Sequence, residues 1–185
     1  MNKDKIILWV PCNLKFTETV ENIVEVIRPL FNSSLSTNRV FEIKLVLNEA
    51  FVNVVRHSSQ NVAELVEIIF EMEPQSLKIC LKDKGKGLAI LEHFPPYPQK
   101  LIGTSQVFLK TMDGEVRALV EDSVTLQLTF NEINIDEFPP EYIFEKTQDR
   151  GMGISLMTKL MDEVRFKYME NEGNYLELIK NLAPK

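Results

Sequence analysis

The chain has 185 residues, of which 44% are hydrophobic, and this is enough for one domain with a sizeable core. Its net charge is -6 and it has no basic run, which disfavours nucleic-acid binding. No apolar stretch is long enough to span a bilayer, and the apolar run near the N-terminus is too short for a secretory signal. We therefore expect a cytoplasmic protein that binds neither nucleic acid nor membrane.

The first half of the chain alternates between strand-like and helix-like patterns. An apolar run predicts a first strand, and apolar residues at helical spacing predict two helices, with Thr17 as the N-cap of the first. Two further apolar runs around a polar turn predict a hairpin, and Asp83 follows its second strand. The predicted bounds are 5–12 for the first strand, 17–30 and 38–57 for the helices, and 62–72 and 77–81 for the hairpin.

The segment 99–147 has an unusual composition. It holds nine acidic and four basic side chains, and so it carries -5 of the net charge of -6. Two apolar runs around Asp113-Gly114 predict a hairpin, and residues 123–131 alternate in the manner of a half-buried strand. The segment is interpreted either as a plain extension of the sheet or as an acidic docking surface or lid, because an acidic face favours basic partners.

The last part of the chain predicts a helix from Gly151 and a final hairpin with strands at 164–169 and 175–179. Helices and strands alternate in part, but several strands are joined directly. The pattern therefore predicts an α/β fold of two layers, with a mixed, mostly antiparallel sheet and helices on one face.

Two polar side chains on the second predicted helix, Glu49 and Asn53, are four residues apart and share one face. An asparagine oxygen suits magnesium, which prefers a few protein oxygens together with waters and phosphates. A nearby glutamate could orient or deprotonate a nucleophile. Taken alone, the pair is better explained as a solvated helix face, because Glu-x-x-x-Asn is common by chance.

Two glycine clusters complete the polar pattern. Asp83 precedes Gly85 and Gly87, and a carboxylate at a strand end can accept a hydrogen bond from an exocyclic amine such as that of adenine. Gly151 and Gly153 open a predicted helix, where free backbone amides and the helix dipole favour phosphate. Considered singly, the Asp83 cluster is about equally well explained as an ordinary glycine turn, and the Gly151 cluster also fits a loop with a capping glycine.

In chain order, these clusters resemble the N, G1 and G2 boxes of the GHKL (Bergerat-fold) ATPase superfamily. The resemblance narrows to the bacterial anti-sigma-factor serine kinases through LVLNEAFVNVVRH, DKGKGL, GMGISLMTKLMDEV and the closing NEGNYLELIK. It implies the histidine-kinase-type ATPase fold and a single ATP-binding domain over residues 1–185. Within that domain, residues 99–147 would be an acidic, strand-rich insertion in the ATP-lid region.

The resemblance also implies roles for particular residues. Asn53 would coordinate the magnesium ion that bridges the ATP phosphates, and Glu49 would be the general base toward a substrate serine. Asp83 would bind the adenine amino group. Gly85 and Gly87 would line the adenine pocket.

The closing glycine clusters depart from the family in two places. Gly151, Met152 and Gly153 would offer backbone amides to phosphate, but the kinases commonly have arginine where this chain has Met152. Arg150 stands next to these glycines and could supply the cation, with altered geometry, that phosphoryl transfer depends on. The family commonly has threonine where this chain has Asn174, which keeps a polar group in the pocket.

Three functions are compatible with this resemblance. The first is an ATP-dependent serine kinase that phosphorylates a STAS-type anti-anti-sigma protein and sequesters a sigma factor. The second is a nucleotide-dependent partner-binding module with little or no kinase activity, which could act as a homodimer; Met152 and the long lid region favour it. The third, the ATPase domain of a sensor histidine kinase, is disfavoured because no dimerising helical hairpin or phospho-acceptor segment precedes the domain.

Overall fold

The structure is a computed structural model that describes residues 4–31, 35–57, 65–85, 87–111, 113–132 and 152–182. These residues form eight strands and three α-helices in two layers. The strands are β1 (Asp4–Pro11), β2 (Leu65–Glu73), β3 (Ser76–Asp83), β4 (Ser105–Thr111), β5 (Gly114–Val120), β6 (Thr125–Glu132), β7 (Glu163–Met169) and β8 (Gly173–Asn181). The helices are α1 (Thr17–Ile27), α2 (Thr37–His57) and α3 (Met152–Leu160), with short 3₁₀ turns at Leu14–Phe16, Arg28–Phe31 and Gln99–Leu101.

The strands form one sheet in the order β1-β2-β3-β8-β7-β6-β5-β4, and every described pair is antiparallel. The α/β prediction is confirmed, and the sheet is more uniform than the expected mixture. Buried side chains alternate along β2, at Val66, Ile68 and Phe70, which face the helical layer and form the core with it. Within the described ranges, no helix is both long and apolar enough to cross a membrane.

The predicted strands of the acidic segment extend the sheet. β6 pairs with β7, and β5 and β4 follow outward to the edge. The turn between β4 and β5 contacts α3, because Asp113 lies 2.6 Å from the ammonium of Lys159, which also lies 4.4 Å from the centre of the Phe130 ring. Residues 133–147, the rest of the segment, lie outside the described residues.

The predicted N-cap role of Thr17 is wrong. α1 begins at Thr17 itself, after Phe16, and no side chain caps its first turn. The Thr17 hydroxyl instead donates to the carbonyl of Leu14 at 2.6 Å, while Asn13 accepts a hydrogen bond from the Lys15 amide and so caps the preceding 3₁₀ turn. The side chain that acts as a cap here is thus Asn13, which lies one turn earlier than the sequence pattern indicates. The α-helix also ends before the predicted residue 30, because Pro29 lacks the N–H that would continue it.

The face of the sheet opposite the helices carries an ordered set of charges. Glu177 lies between two lysines, with its oxygens 2.9 Å from Lys78 Nζ and 3.0 Å from Lys167 Nζ, and only 12% of its side chain is exposed. Burial raises the pKa of Glu177, but hydrogen bonds and charges from Lys78 and Lys167 outweigh this effect and hold the pKa below its ordinary value of 4.5. Folding therefore favours the ionised form of the Glu177 carboxylate.

We expect Glu177→Gln to lower the free energy of unfolding at neutral pH, because both lysines lose their shared anion. Since the folded pKa is depressed, the advantage of the native protein is complete above the unfolded value of 4.5 and is lost as the pH falls through the lower folded value. Urea unfolding of both proteins between pH 3 and 8 measures this. Exposed Glu170→Gln is the control, and a difference that is constant over the whole range would contradict the assignment.

Candidate functional site

Glu49 and Asn53 meet the start of α3. They lie one turn apart on α2, on the side that packs against α3. A Cβ placed on Gly153 would lie 2.6 Å from Glu49 Oε2 and 3.3 Å from Asn53 Nδ2. Two of the clusters singled out in the sequence are therefore close together, and a side chain at position 153 would have to displace the Glu49 carboxylate.

A second set of contacts gathers around Asp83. Asp83 and Asn174 are opposite each other on the paired strands β3 and β8. Asp83 Oδ1 accepts hydrogen bonds from the Gly85 amide at 2.5 Å and from Asn174 Nδ2 at 3.2 Å. Asn174 Nδ2 also donates to the Gly85 carbonyl at 2.6 Å. The structure thus joins the strand-end aspartate to a residue 91 positions away in the sequence.

Two glycines with positive φ make this second set possible. Gly173 has φ +104°, and a Cβ there would overlap the backbone carbonyl of Asp83. Gly87 has φ +83°, and a Cβ there would lie 2.8 Å from Asn174 Oδ1 and 2.8 Å from Pro95 Cγ. Gly87, the last glycine of the Asp-x-Gly-x-Gly pattern, therefore lets the backbone pack closely against the Asn174 amide.

α2 connects the two sets. The carbonyl of His57, at the end of α2, would lie 3.6 Å from a Cβ on Gly85, so this turn sits at the end of the helix that carries Glu49 and Asn53. His57 itself is exposed. The site residues consequently lie along one helix, with the carboxylate and amide pair in its middle and the aspartate set at its end.

The remaining predicted site residues lie at the start of α3. Met152 is the first residue of the helix, and 71% of it is exposed. Arg150 and Gly151 lie outside the described residues. Of the described residues, Gly153 is the member of the G2-like cluster whose surroundings include Glu49 and Asn53.

The chemistry of these groups fits a magnesium nucleotide. Asn53 has an amide oxygen of the kind that magnesium prefers, and its Nδ2 would lie 3.3 Å from a Cβ on Gly153, at a helix start that is a favourable place for phosphate. Asn174 is only 4% exposed, and its Oδ1 has no hydrogen-bond partner among the described residues. In the described part of the chain, no cluster of three or more His, Cys, Asp or Glu side chains could hold a metal ion.

A cavity that the sequence did not indicate borders Asp83 on the side of β1 and β2. Its volume is about 240 Å³, and of the described site residues only Asp83 lines it. Trp9, which lines the cavity, is 58% exposed. The sequence does not indicate this exposure, because Trp9 stands within a continuous apolar run. Its lining residues are Trp9, Cys12, Val54, Leu65, Val66, Glu67, Lys82, Asp83 and Lys84.

Residues 16–180 match the histidine kinase-like ATPase domain family. The match includes both sets of contacts and covers most of the chain, so the protein belongs to this family, and ATP binding fits the site. Among curated proteins, none matches this chain.

We expect Gly153→Ala to disturb the site more than the fold. The new methyl group displaces the mobile end of Glu49 and presses on Asn53, whereas alanine is the better helix former by about 1 kcal/mol and offsets part of the loss of stability. Binding of magnesium-ATP, measured by calorimetry, should fall while the melting temperature changes little.

Gly103→Asn is the control for this variant, because nothing lies within 4 Å of a Cβ there and asparagine tolerates the positive φ of +79°. Unchanged affinity in Gly153→Ala would show that the contact between α2 and α3 does not shape the nucleotide site.

Proposed function

We propose that this protein is an ATP-dependent serine kinase that phosphorylates a STAS-type anti-anti-sigma protein and also sequesters a sigma factor. The contact of Glu49 and Asn53 with Gly153 carries the proposal. It brings a candidate base and a candidate metal ligand to the start of α3, where exposed amides favour a phosphate chain. The order of motifs along the chain supports the narrower family within the histidine kinase-like ATPases.

Each set of contacts has its own task in this proposal. Asn53 holds a magnesium ion through its side-chain oxygen, and the backbone from Gly151 to Gly153 donates to phosphate. Asp83 accepts a hydrogen bond from the adenine amino group. Bound ATP would supply the phosphoryl group, and the magnesium ion would neutralise the charge that develops on the phosphates.

Glu49 is the proposed general base. It accepts the proton of the substrate serine hydroxyl as the serine oxygen forms a bond to the γ-phosphorus. The bond from that phosphorus to the bridging oxygen breaks, and ADP leaves with the electron pair. The position of Glu49 beside Gly153 supports this role, because the proposal places the phosphates at the start of α3.

A second function is a nucleotide-dependent partner-binding module with little or no kinase activity. The observation that favours it is Met152, which is uncharged and 71% exposed at the start of α3, where the related kinases commonly have arginine. Phosphoryl transfer depends strongly on such a cation. In this second function, Arg150 does not supply the missing cation. ATP then acts as a ligand that changes the conformation of the protein rather than as a phosphoryl donor.

The proposal includes the setting in which the protein acts. A sigma-factor regulator would act in the cytoplasm, and a homodimer is compatible with this role. The net charge of -6 disfavours direct contact with nucleic acid or with an anionic membrane. The acidic segment 99–147 would face partners with basic patches.

The nucleotide assignment is tested with Asn53→Ala and Asp83→Asn. Each should weaken magnesium-ATP binding by at least about tenfold, the size of a lost hydrogen bond to a charged group or metal ligand. Calorimetry measures both, with exposed Asn38→Ala on the same helix as the control. If both variants bind magnesium-ATP with the native affinity, the nucleotide does not bind at this site.

The kinase assignment is tested with Glu49→Gln. This variant should keep ATP binding but lose transfer by about 100-fold or more, the usual contribution of a general base. The measurement is single-turnover transfer of labelled phosphate to a STAS-type protein whose gene neighbours the gene of this chain. Glu18→Gln is the control. If the native protein binds ATP but transfers nothing, the partner-binding module is the better function.

A further inference from the structure

The helix α3 is covered on two sides, and the strands of the acidic segment form part of that cover. Gly153, on the side of α3 that faces α2, is buried. Ser155 stands roughly 200° further round the helix and is only 3% exposed, so the other side of α3 is buried as well. Among the described elements, β4, β5 and β6 contact α3, and all three belong to the segment 99–147. The acidic segment therefore helps to seat the helix that opens with the G2-like cluster.

One ion pair attaches the turn between β4 and β5 to α3. Asp113 Oδ2 lies 2.6 Å from Lys159 Nζ, and the same ammonium lies 4.4 Å from the centre of the Phe130 ring on β6. The hydrogen bond with Lys159 is the main cause that holds the pKa of Asp113 below its ordinary value of 3.8. Lys159 lies in the last turn of α3, where the helix dipole also favours a cation. The pair thus joins the acidic segment to a favourable place on the helix.

The turn is shaped so that Asp113 faces α3. The hydroxyl of Thr111 donates to Asp113 Oδ1 at 2.9 Å, while Oδ2 of the same carboxylate contacts Lys159. A Cβ on Gly114 would overlap the Phe130 ring, so glycine lets the turn lie close to the ring that Lys159 also contacts. These contacts orient the carboxylate toward the helix.

The C-terminal end of α3 is held from a second side by Lys180 of β8. Its Nζ lies 2.5 Å from the carbonyl oxygen of Leu160 and 2.8 Å from Glu42 Oε2 on α2. The helix has nine residues, and Lys159 lies only about 9 Å along its axis from Gly153. Because the helix is this short, contacts that fix its C-terminal end also limit the tilt of its start.

We infer that Asp113 is a positioning residue for the ATP phosphates and that it acts through Lys159. It ties α3 to the turn between β4 and β5 and so keeps the start of α3 beside Glu49 and Asn53. This inference rests on the proposed binding of phosphate at the start of α3. The acidic segment then has a task within the domain, because its turn helps to place the helix that receives the phosphates.

The sign of the charge separates this role from a direct effect of Asp113 on the nucleotide. Asp113 is an anion, so removal of its charge would favour binding of the anionic ATP if the carboxylate acted only through its field. The inference predicts the opposite result, because loss of the tie to Lys159 lets the start of α3 move away from Glu49 and Asn53.

Four variants test the inference. Asp113→Asn and Lys159→Met each remove one charge of the pair, whereas Lys159→Arg keeps both charges. Exposed Glu132→Gln is the matched control, because Glu132 pairs in register with Gly114 beside the same turn. Calorimetry gives the affinity for magnesium-ATP, and displacement of this nucleotide by adenosine gives the affinity for a ligand without phosphate. Thermal unfolding gives the melting temperatures.

Asp113→Asn and Lys159→Met should each weaken magnesium-ATP binding by about three- to fivefold, the range that an exposed ion pair can contribute. The double variant should lose little more than either single variant, because both changes remove the same tie. Lys159→Arg should stay within about twofold of the native affinity, since it keeps the cation beside Asp113 and Phe130. The affinity for adenosine should stay unchanged in all of these variants, and Glu132→Gln should not weaken ATP binding.

Three outcomes would overturn the inference, and they differ in what they leave standing. If Asp113→Asn binds magnesium-ATP as tightly as the native protein or more tightly, Asp113 does not position the phosphates, and the nucleotide site stands. Equal losses for ATP and adenosine, with a lower melting temperature, would show a merely structural role. If the native protein binds no magnesium-ATP, the proposed nucleotide site fails and the inference fails with it.

Discussion

The close approach of α3 to α2 is the constraint on which the site depends. At Gly153 the helices come close enough that a Cβ would lie 2.6 Å from Glu49 Oε2 and 3.3 Å from Asn53 Nδ2, so a larger residue would have to move these two side chains. The same contact directs the polar groups of α2 toward the first turn of α3, where backbone amides are free. The small residue at position 153 thus affects where the Glu49 carboxylate and the Asn53 amide lie. The core, in contrast, depends on many apolar side chains.

Asp83 depends on a second constraint of the same kind. Gly173 lets β8 begin against the backbone of Asp83, and Asn174 then reaches the carboxylate from the opposite strand. The pairing of β3 with β8 is therefore more than a sheet contact, because it builds the polar corner at the end of α2. The lysine–glutamate ion pairs, such as Lys78 with Glu177, lie on the opposite face of the sheet and so are separate from this corner.

Much of the fold could be predicted from the sequence. Period and turn residues indicated both long helices and the eight strands within a few residues, because burial on one face leaves a clear repeat. The pairs Glu49–Asn53 and Asp83–Gly85 could also be found, since each is local. The cap at Thr17 was predicted wrongly, because several polar residues compete for one helix start and the local backbone decides among them.

By itself the sequence determined the elements, the α/β class and the chemical types present at the site. Only the tertiary structure decided that β8 lies between β3 and β7, which brings Asn174 to Asp83. Only the tertiary structure showed that the Asn174 amide is buried and that its Oδ1 has no hydrogen-bond partner among the described residues. The physical reason is range: repeats and turns act over a few neighbouring residues, whereas strand order and buried polar contacts join residues far apart, which no local pattern records.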